Sequence, residues 1–184
     1  MRFRRSGSPK RTSRTTIPTL AVLISLASVL LVPTPATAGS AWDPNDAGYR
    51  LDIRWVGVYQ ESDGRLRVTV VFYDPVRLKW FRTGSGSPFE SRSAVAFTDD
   101  RDIPPYLFVA FFVNDRHRLR AALCEGGSGC NGVVKVHRPN KWTIRARVTP
   151  FGGFGPAVGW SFRGMSWLKG FAHPTDRTRW GVVT

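Results

Sequence analysis

The sequence predicts an all-β fold, a two-sheet antiparallel β-sandwich of about nine strands, with a closed β-barrel as the alternative. Three observations lead there. After residue 50, apolar and polar residues alternate with period two over run after run. Clusters of Gly, Asp, Asn and Pro interrupt those runs at short intervals, as turns require. No segment of that region shows helical periodicity. The composition of the 184 residues is ordinary for a globular chain, 42% hydrophobic and 22% charged with 18 Gly, 13 Pro and two Cys. Collagen-like, disordered and disulfide-scaffold classes are excluded.

Residues 1–38 are expected to lie outside the fold. They hold six cations (Arg2, Arg4, Arg5, Lys10, Arg11 and Arg14) and no acid, followed by the apolar run Leu20–Val32 between Pro18 and Pro33. As a helix that run rises only about 20 Å, too short for a bilayer core of about 30 Å. Ala36 and Ala38 then give the A-x-A pattern of a signal peptidase site. The expectation is a secretory signal peptide over 1–38 and a single domain over 39–184, secreted or extracellular, with no transmembrane segment after cleavage.

Within 39–184, Leu51, Ile53 and Trp55 are expected on one face of a first strand. Glu61–Gly64 forms a turn, and Leu66, Val68, Val70 and Phe72 alternate with Arg65, Arg67 and Thr69 in the second strand of a hairpin. Val76, Leu78 and Trp80 suggest a third strand, and Ser93–Thr98 a fourth. Tyr106–Val113 is apolar at every position after the tyrosine, as in a central strand covered on both faces. A meander of three follows, His117–Leu123, Gly132–His137 and Lys141–Val148, and Val158–Phe162 closes the set. Trp55, Trp80, Phe108, Phe112 and Trp142 fall at positions expected to point inward. Cys124 and Cys130, separated by a glycine-rich loop, are expected to pair in oxidising surroundings.

Charge is distributed unevenly. Residues 39–184 carry 21 Lys and Arg against 13 Asp and Glu, a net of +8, of which +6 falls between 114 and 148. If the meander strands are neighbours, Arg116, Arg118, Arg120, Lys135, Lys141, Arg145 and Arg147 share one outward face. Such a face is a site for an anion unless acids from elsewhere cover it. Nucleic acid is not the expected partner, because no nucleic-acid-binding motif accompanies the charge and the chain reads as exported. The acidic stretches Asp43-Pro-Asn-Asp46, Asp52 and Asp99-Asp100-Arg-Asp102 supply hard oxygen ligands of the kind Ca²⁺ takes, without the glycine and terminal glutamate of an EF-hand loop. No other cofactor is indicated. His117, His137 and His173 are isolated, and neither H-E-x-x-H nor G-x-S-x-G occurs.

Asp43–Asp46, Arg50–Arg54, Gly64–Val68, the acidic turn at Asp99–Tyr106 and the Arg138-Pro-Asn140 step together resemble a family of small secreted proteins from high-G+C Gram-positive bacteria. The likeness covers most of residues 43–148. It implies an uncharacterised β-sandwich, some members of the family resembling carbohydrate-binding modules. From the basic face, the expected function is a secreted, non-catalytic domain that binds an anionic polymer or carbohydrate of the cell envelope. The alternatives are a neutral-carbohydrate module using the aromatics Trp42, Trp167 and Trp180, or a secreted hydrolase with dispersed carboxylates.

Overall fold

The structure, a computed structural model, describes residues 37–46, 50–82, 92–98, 107–126, 129–149, 159–167, 174 and 176–184. They form two antiparallel sheets. The first takes β1 (Thr37–Trp42), β2 (Ile53–Gln60), β3 (Leu66–Phe72), β9 (Thr143–Val148) and β8 (His137–Asn140), in the order β1-β2-β3-β9-β8. The second takes β4 (Ser93–Thr98), β5 (Leu107–Val113), β6 (Leu119–Glu125), β7 (Gly129–Lys135), β10 (Ser161–Ser166) and β11 (Asp176–Arg177), in the order β11-β10-β4-β5-β6-β7. A two-residue β12 (Gly181–Val182) also pairs with β10. The fold is the expected all-β sandwich and not a closed barrel. Among the described residues no helix is long and apolar enough to cross a membrane.

Alternation accounts for the interior. Val56 and Val58 of β2 lie opposite Val70 and Val68 of β3, which lie opposite Ile144 and Ala146 of β9, and all six are buried. Val95, Phe97, Val109, Phe111, Ala121, Leu123 and Phe162 of the second sheet join the same apolar cluster. Each large side chain removed from water there contributes about 1.5–3 kcal/mol. β5 is covered on both faces, as its sequence requires. Val109 and Phe111 face the first sheet, whereas Phe108 and Phe112 turn the other way and join Ala110, Ala122 and Cys124 in a second, smaller cluster. Cys124 and Cys130 are bonded across the β6–β7 ladder.

Four expectations are corrected. The chain has twelve strands among its described residues rather than about nine, because β1, β11 and β12 are added and the expected Gly132–His137 strand divides. Val76–Trp80 is not a strand: Leu78–Phe81 is one 3-10 turn, and Trp80 packs half-buried against the core from it. Trp142 is not interior. It lies in the β8–β9 turn, where Asn140 Oδ1 accepts its N–H at 2.9 Å, and it is 39% exposed. Nor does Trp55 share the inward face of Ile53. The β2–β3 register slips between these two residues, a β-bulge that inserts Arg54 and reverses the phase of the rest of β2.

The meander is the remaining difference. β6 and β7 are neighbours in the second sheet, but after Lys135 the chain passes through buried Val136 into the first sheet as β8, and β9 follows there. The three predicted strands therefore do not present a common face.

Candidate functional site

The bulge at Arg54 builds the most distinctive surface of the molecule. Beyond it, Trp55, Gly57 and Tyr59 point away from the core, opposite Trp42, Ser40 and Ala38 of β1. Across the next two strands, Arg67 of β3 lies opposite Arg147 of β9, and Thr69 opposite Arg145. Ala38 and Ser40 are small, and Gly57 carries no side chain, so the Trp55 indole can lie against the strand there. The result is an open groove of about 680 Å³, which Arg67, Thr69, Arg145, Val182 and Thr184 also line. That volume lies within the range of small-molecule sites.

The groove walls are held in place. The Trp55 indole lies against Gly57, where any Cβ would strike its six-membered ring. Trp42 meets it edge-on with ring centroids 6.3 Å apart, and Trp42 is itself 59% exposed. The Arg67 guanidinium sits 4.3 Å above the centre of the Tyr59 ring, a cation–π contact. Arg145 Nε donates to Thr69 Oγ1 at 3.2 Å, which fixes that guanidinium over the sheet. Arg67 and Arg147 are like charges facing each other across a ladder. Glu61, from the β2–β3 turn, relieves that contact, 2.8 Å from Arg147 and 3.8 Å from Arg67.

The seven predicted cations are thus redistributed. Arg145 and Arg147 lie on the outer face of the first sheet. Lys135, just before the sheet change, joins Arg67, His137, Arg145 and Arg147 around an adjoining cleft of about 300 Å³. Arg120 lies opposite Lys135 but belongs to the second sheet. Arg116 and Arg118 are exposed in the β5–β6 hairpin, and Lys141 sits over the Trp142 ring at 4.4 Å. Sequence reasoning missed Trp55, Gly57, Tyr59 and Arg67 as site residues. Arg67 was legible as an outward residue of β3, but not as a neighbour of Arg147, because the β3–β9 pairing spans about 80 residues.

A second cluster lies past the end of β1 and before β2. Asp43, Asp52 and Asp176 are only 6%, 2% and 5% exposed, and one carboxylate oxygen of each lies within 4.8 Å of the other two. Asp176 Oδ2 accepts the Ile53 N–H at 2.8 Å. Burial, followed by the charge of Asp176, pushes the Asp43 carboxyl up to about 7. Burial likewise raises Asp176. Of the acids expected to bind metal, Asp43 and Asp52 are here, whereas Asp46 is exposed nearby. Asp99, Asp100 and Asp102 fall outside the described residues. Asp176, 124 positions after Asp52, had no sequence signal linking it to the other two.

Compared with protein-family models, with curated proteins and with solved structures, the chain matches none.

Proposed function

We propose that this domain is an exported, non-catalytic binding module that holds an anionic glycan or phosphate-linked polymer of the cell envelope in the groove of the five-stranded sheet. The observation that carries the reading is the union, in one open groove, of flat aromatic side chains with anchored guanidinium groups. Trp55 and Tyr59 offer apolar faces on which the C–H side of a sugar or polyol can rest. Arg67 and Arg145 offer planar forks that match carboxylate or phosphate oxygens two at a time. The small residues Ala38 and Ser40 of β1 leave room for a chain to lie across the strands beside the Trp55 indole. The walls described above carry aromatic and guanidinium groups rather than the carboxylate pair of a glycosidase, which supports retention over hydrolysis.

The test is retention of the purified protein on immobilised polyglycerol phosphate and on a neutral β-glucan, each at low and high salt. Binding to the polyanion that weakens steeply with salt, and is lost in the Arg67→Ala, Arg145→Ala double variant with unchanged circular dichroism, is the expected result. Salt-insensitive binding to the β-glucan, lost in Trp55→Ala or Trp42→Ala, would replace it with the neutral-carbohydrate reading, which the exposure of Trp42 favours. Release of soluble fragments would replace it with a hydrolase.

A further inference from the structure

The Asp43, Asp52 and Asp176 cluster is separate from the groove and calls for its own account. Three carboxylates are withdrawn from water together, a costly arrangement unless something positive joins them. They reach one point from three separate places: the chain leaving β1, the chain entering β2, and the start of β11. Their geometry is that of ligands around a common centre. Oxygen atoms bound to one Ca²⁺ at 2.3–2.6 Å are separated by no more than about 5 Å, and the three oxygens here lie within 4.8 Å of one another.

A second observation points the same way. Asp43 is nine-tenths buried and its Oδ2 atom, shielded from solvent, meets no hydrogen-bond donor among the described residues. Its neighbourhood is already committed. The Asp43 N–H goes to Arg54 O, the Asp43 carbonyl accepts the Tyr73 hydroxyl at 2.8 Å, and the Asp52 carbonyl accepts the Tyr73 N–H at 3.0 Å. A buried acceptor in that position costs free energy unless a donor or a cation meets it.

We propose that Asp43, Asp52 and Asp176 bind a calcium ion that fastens the C-terminal strand pair to the end of the first sheet. All three ligands are hard oxygens, the chemistry of Ca²⁺ rather than of a thiolate- or imidazole-seeking metal. Backbone carbonyls and water complete the shell. The purpose is mechanical. Asp176 opens β11, Ile53 opens β2, and Arg179 N–H reaches Trp42 O at 3.3 Å just beyond, so an ion here ties segments more than 120 residues apart.

The experiment uses the whole purified chain, dialysed against a chelator and then titrated with CaCl₂ alone near neutral pH. The expected result is a saturable heat of binding by calorimetry and a rise in melting temperature on the order of 5 °C. Asp176→Asn and Asp43→Asn are expected to melt no lower than the wild type in chelator, because each puts a neutral amide where burial disfavours a carboxylate, yet to lose the Ca²⁺ response. Absence of a Ca²⁺-dependent shift in the wild type would overturn the proposal. So would an undiminished response in both variants, which would place the ion elsewhere. Neither readout involves the groove or its polymer, so this proposal and the proposed function stand or fall separately.

Discussion

Gly57→Ala is the sharpest probe of the groove, because one methyl group there strikes Trp55 first. Built on the backbone, the new Cβ would lie on Trp55 Cη2, 2.7 Å from Cζ2 and 2.9 Å from Cζ3. Ordinary carbon–carbon contact is about 3.5–4.0 Å, so the ring must move by about an ångström or more. It can do so by swinging off the sheet, since Trp55 is only partly buried and borders the open groove. Gly57 needs no left-handed backbone, and replacing a strand glycine by alanine recovers about 0.5–1 kcal/mol of backbone entropy. That gain offsets the lost contacts of the indole with the strand and with Trp42. Stability should therefore change by less than about 1 kcal/mol in either direction. Binding should not be spared. An anchoring aromatic displaced from a site costs about 1–2 kcal/mol, or roughly tenfold in Kd for polyglycerol phosphate. Titration calorimetry of the wild type, Gly57→Ala, Trp55→Ala and the double variant measures the effect. Because the methyl acts through the indole, adding Gly57→Ala to Trp55→Ala should do nothing further. Unchanged binding in the single variant, or a full additional loss in the double variant, would refute the placement of Trp55 as a groove wall.

Three further outcomes are expected. Glu61→Gln removes the carboxylate shared by Arg67 and Arg147, so denaturant titration should show a loss of under about 1 kcal/mol while polyanion binding tightens and its salt dependence steepens. In chelator the protein should be more stable near pH 5 than near pH 8. The folded Asp43 carboxyl holds its proton up to about 7, from an ordinary value of 3.8, so the contribution is complete below the lower value and lost as pH rises through the higher one. One extra bound proton corresponds to about 1.4 kcal/mol per pH unit, and a pH series that leaves Asp43→Asn as steep as the wild type would exclude this source. Reducing Cys124–Cys130 opens a ring of sequence separation 6, so it should cost only about 2 kcal/mol and leave the far-ultraviolet spectrum intact.

Much of the fold was legible in the sequence because two-residue periodicity is imposed wherever one sheet face must be dry. Leu66, Val68 and Val70, or Ile144, Ala146 and Val148, are buried as their alternation required. The continuous apolar run gave β5 for the same reason. What could not be read is partner choice. Nothing in Gly132–His137 marks Val136 as the residue at which the chain changes sheets, so Arg120 and Arg145 looked like members of one face. Val76, Leu78 and Trp80 alternate well enough for a strand, but three residues at spacing two also suit a short turn laid on the core. Asp176 shows the limit most plainly, since no local pattern joins it to Asp43 and Asp52.

The groove and the acid cluster share one origin, the departure of β2 from regular alternation. Without the extra residue at Arg54, Trp55 would point into a core already filled by Val56, Val58 and their partners, and Gly57 and Tyr59 would have no outward row to join. With it, Ile53 keeps its inward place and its N–H meets Asp176, while the aromatic row turns to solvent. The N-terminal strand extends the same logic. Ala38 and Gly39 line the groove, and Ala38 exchanges backbone hydrogen bonds with Thr184 at 3.0 and 3.1 Å. An export cut after Ala38 would remove that exchange and leave the Gly39 ammonium beside the groove, adding a positive charge where the bound anion is proposed to lie. Gly39 itself tolerates no side chain, because a Cβ there would run into the Val182 carbonyl. Gly39 is therefore the residue that lets β1 approach the C-terminal strand.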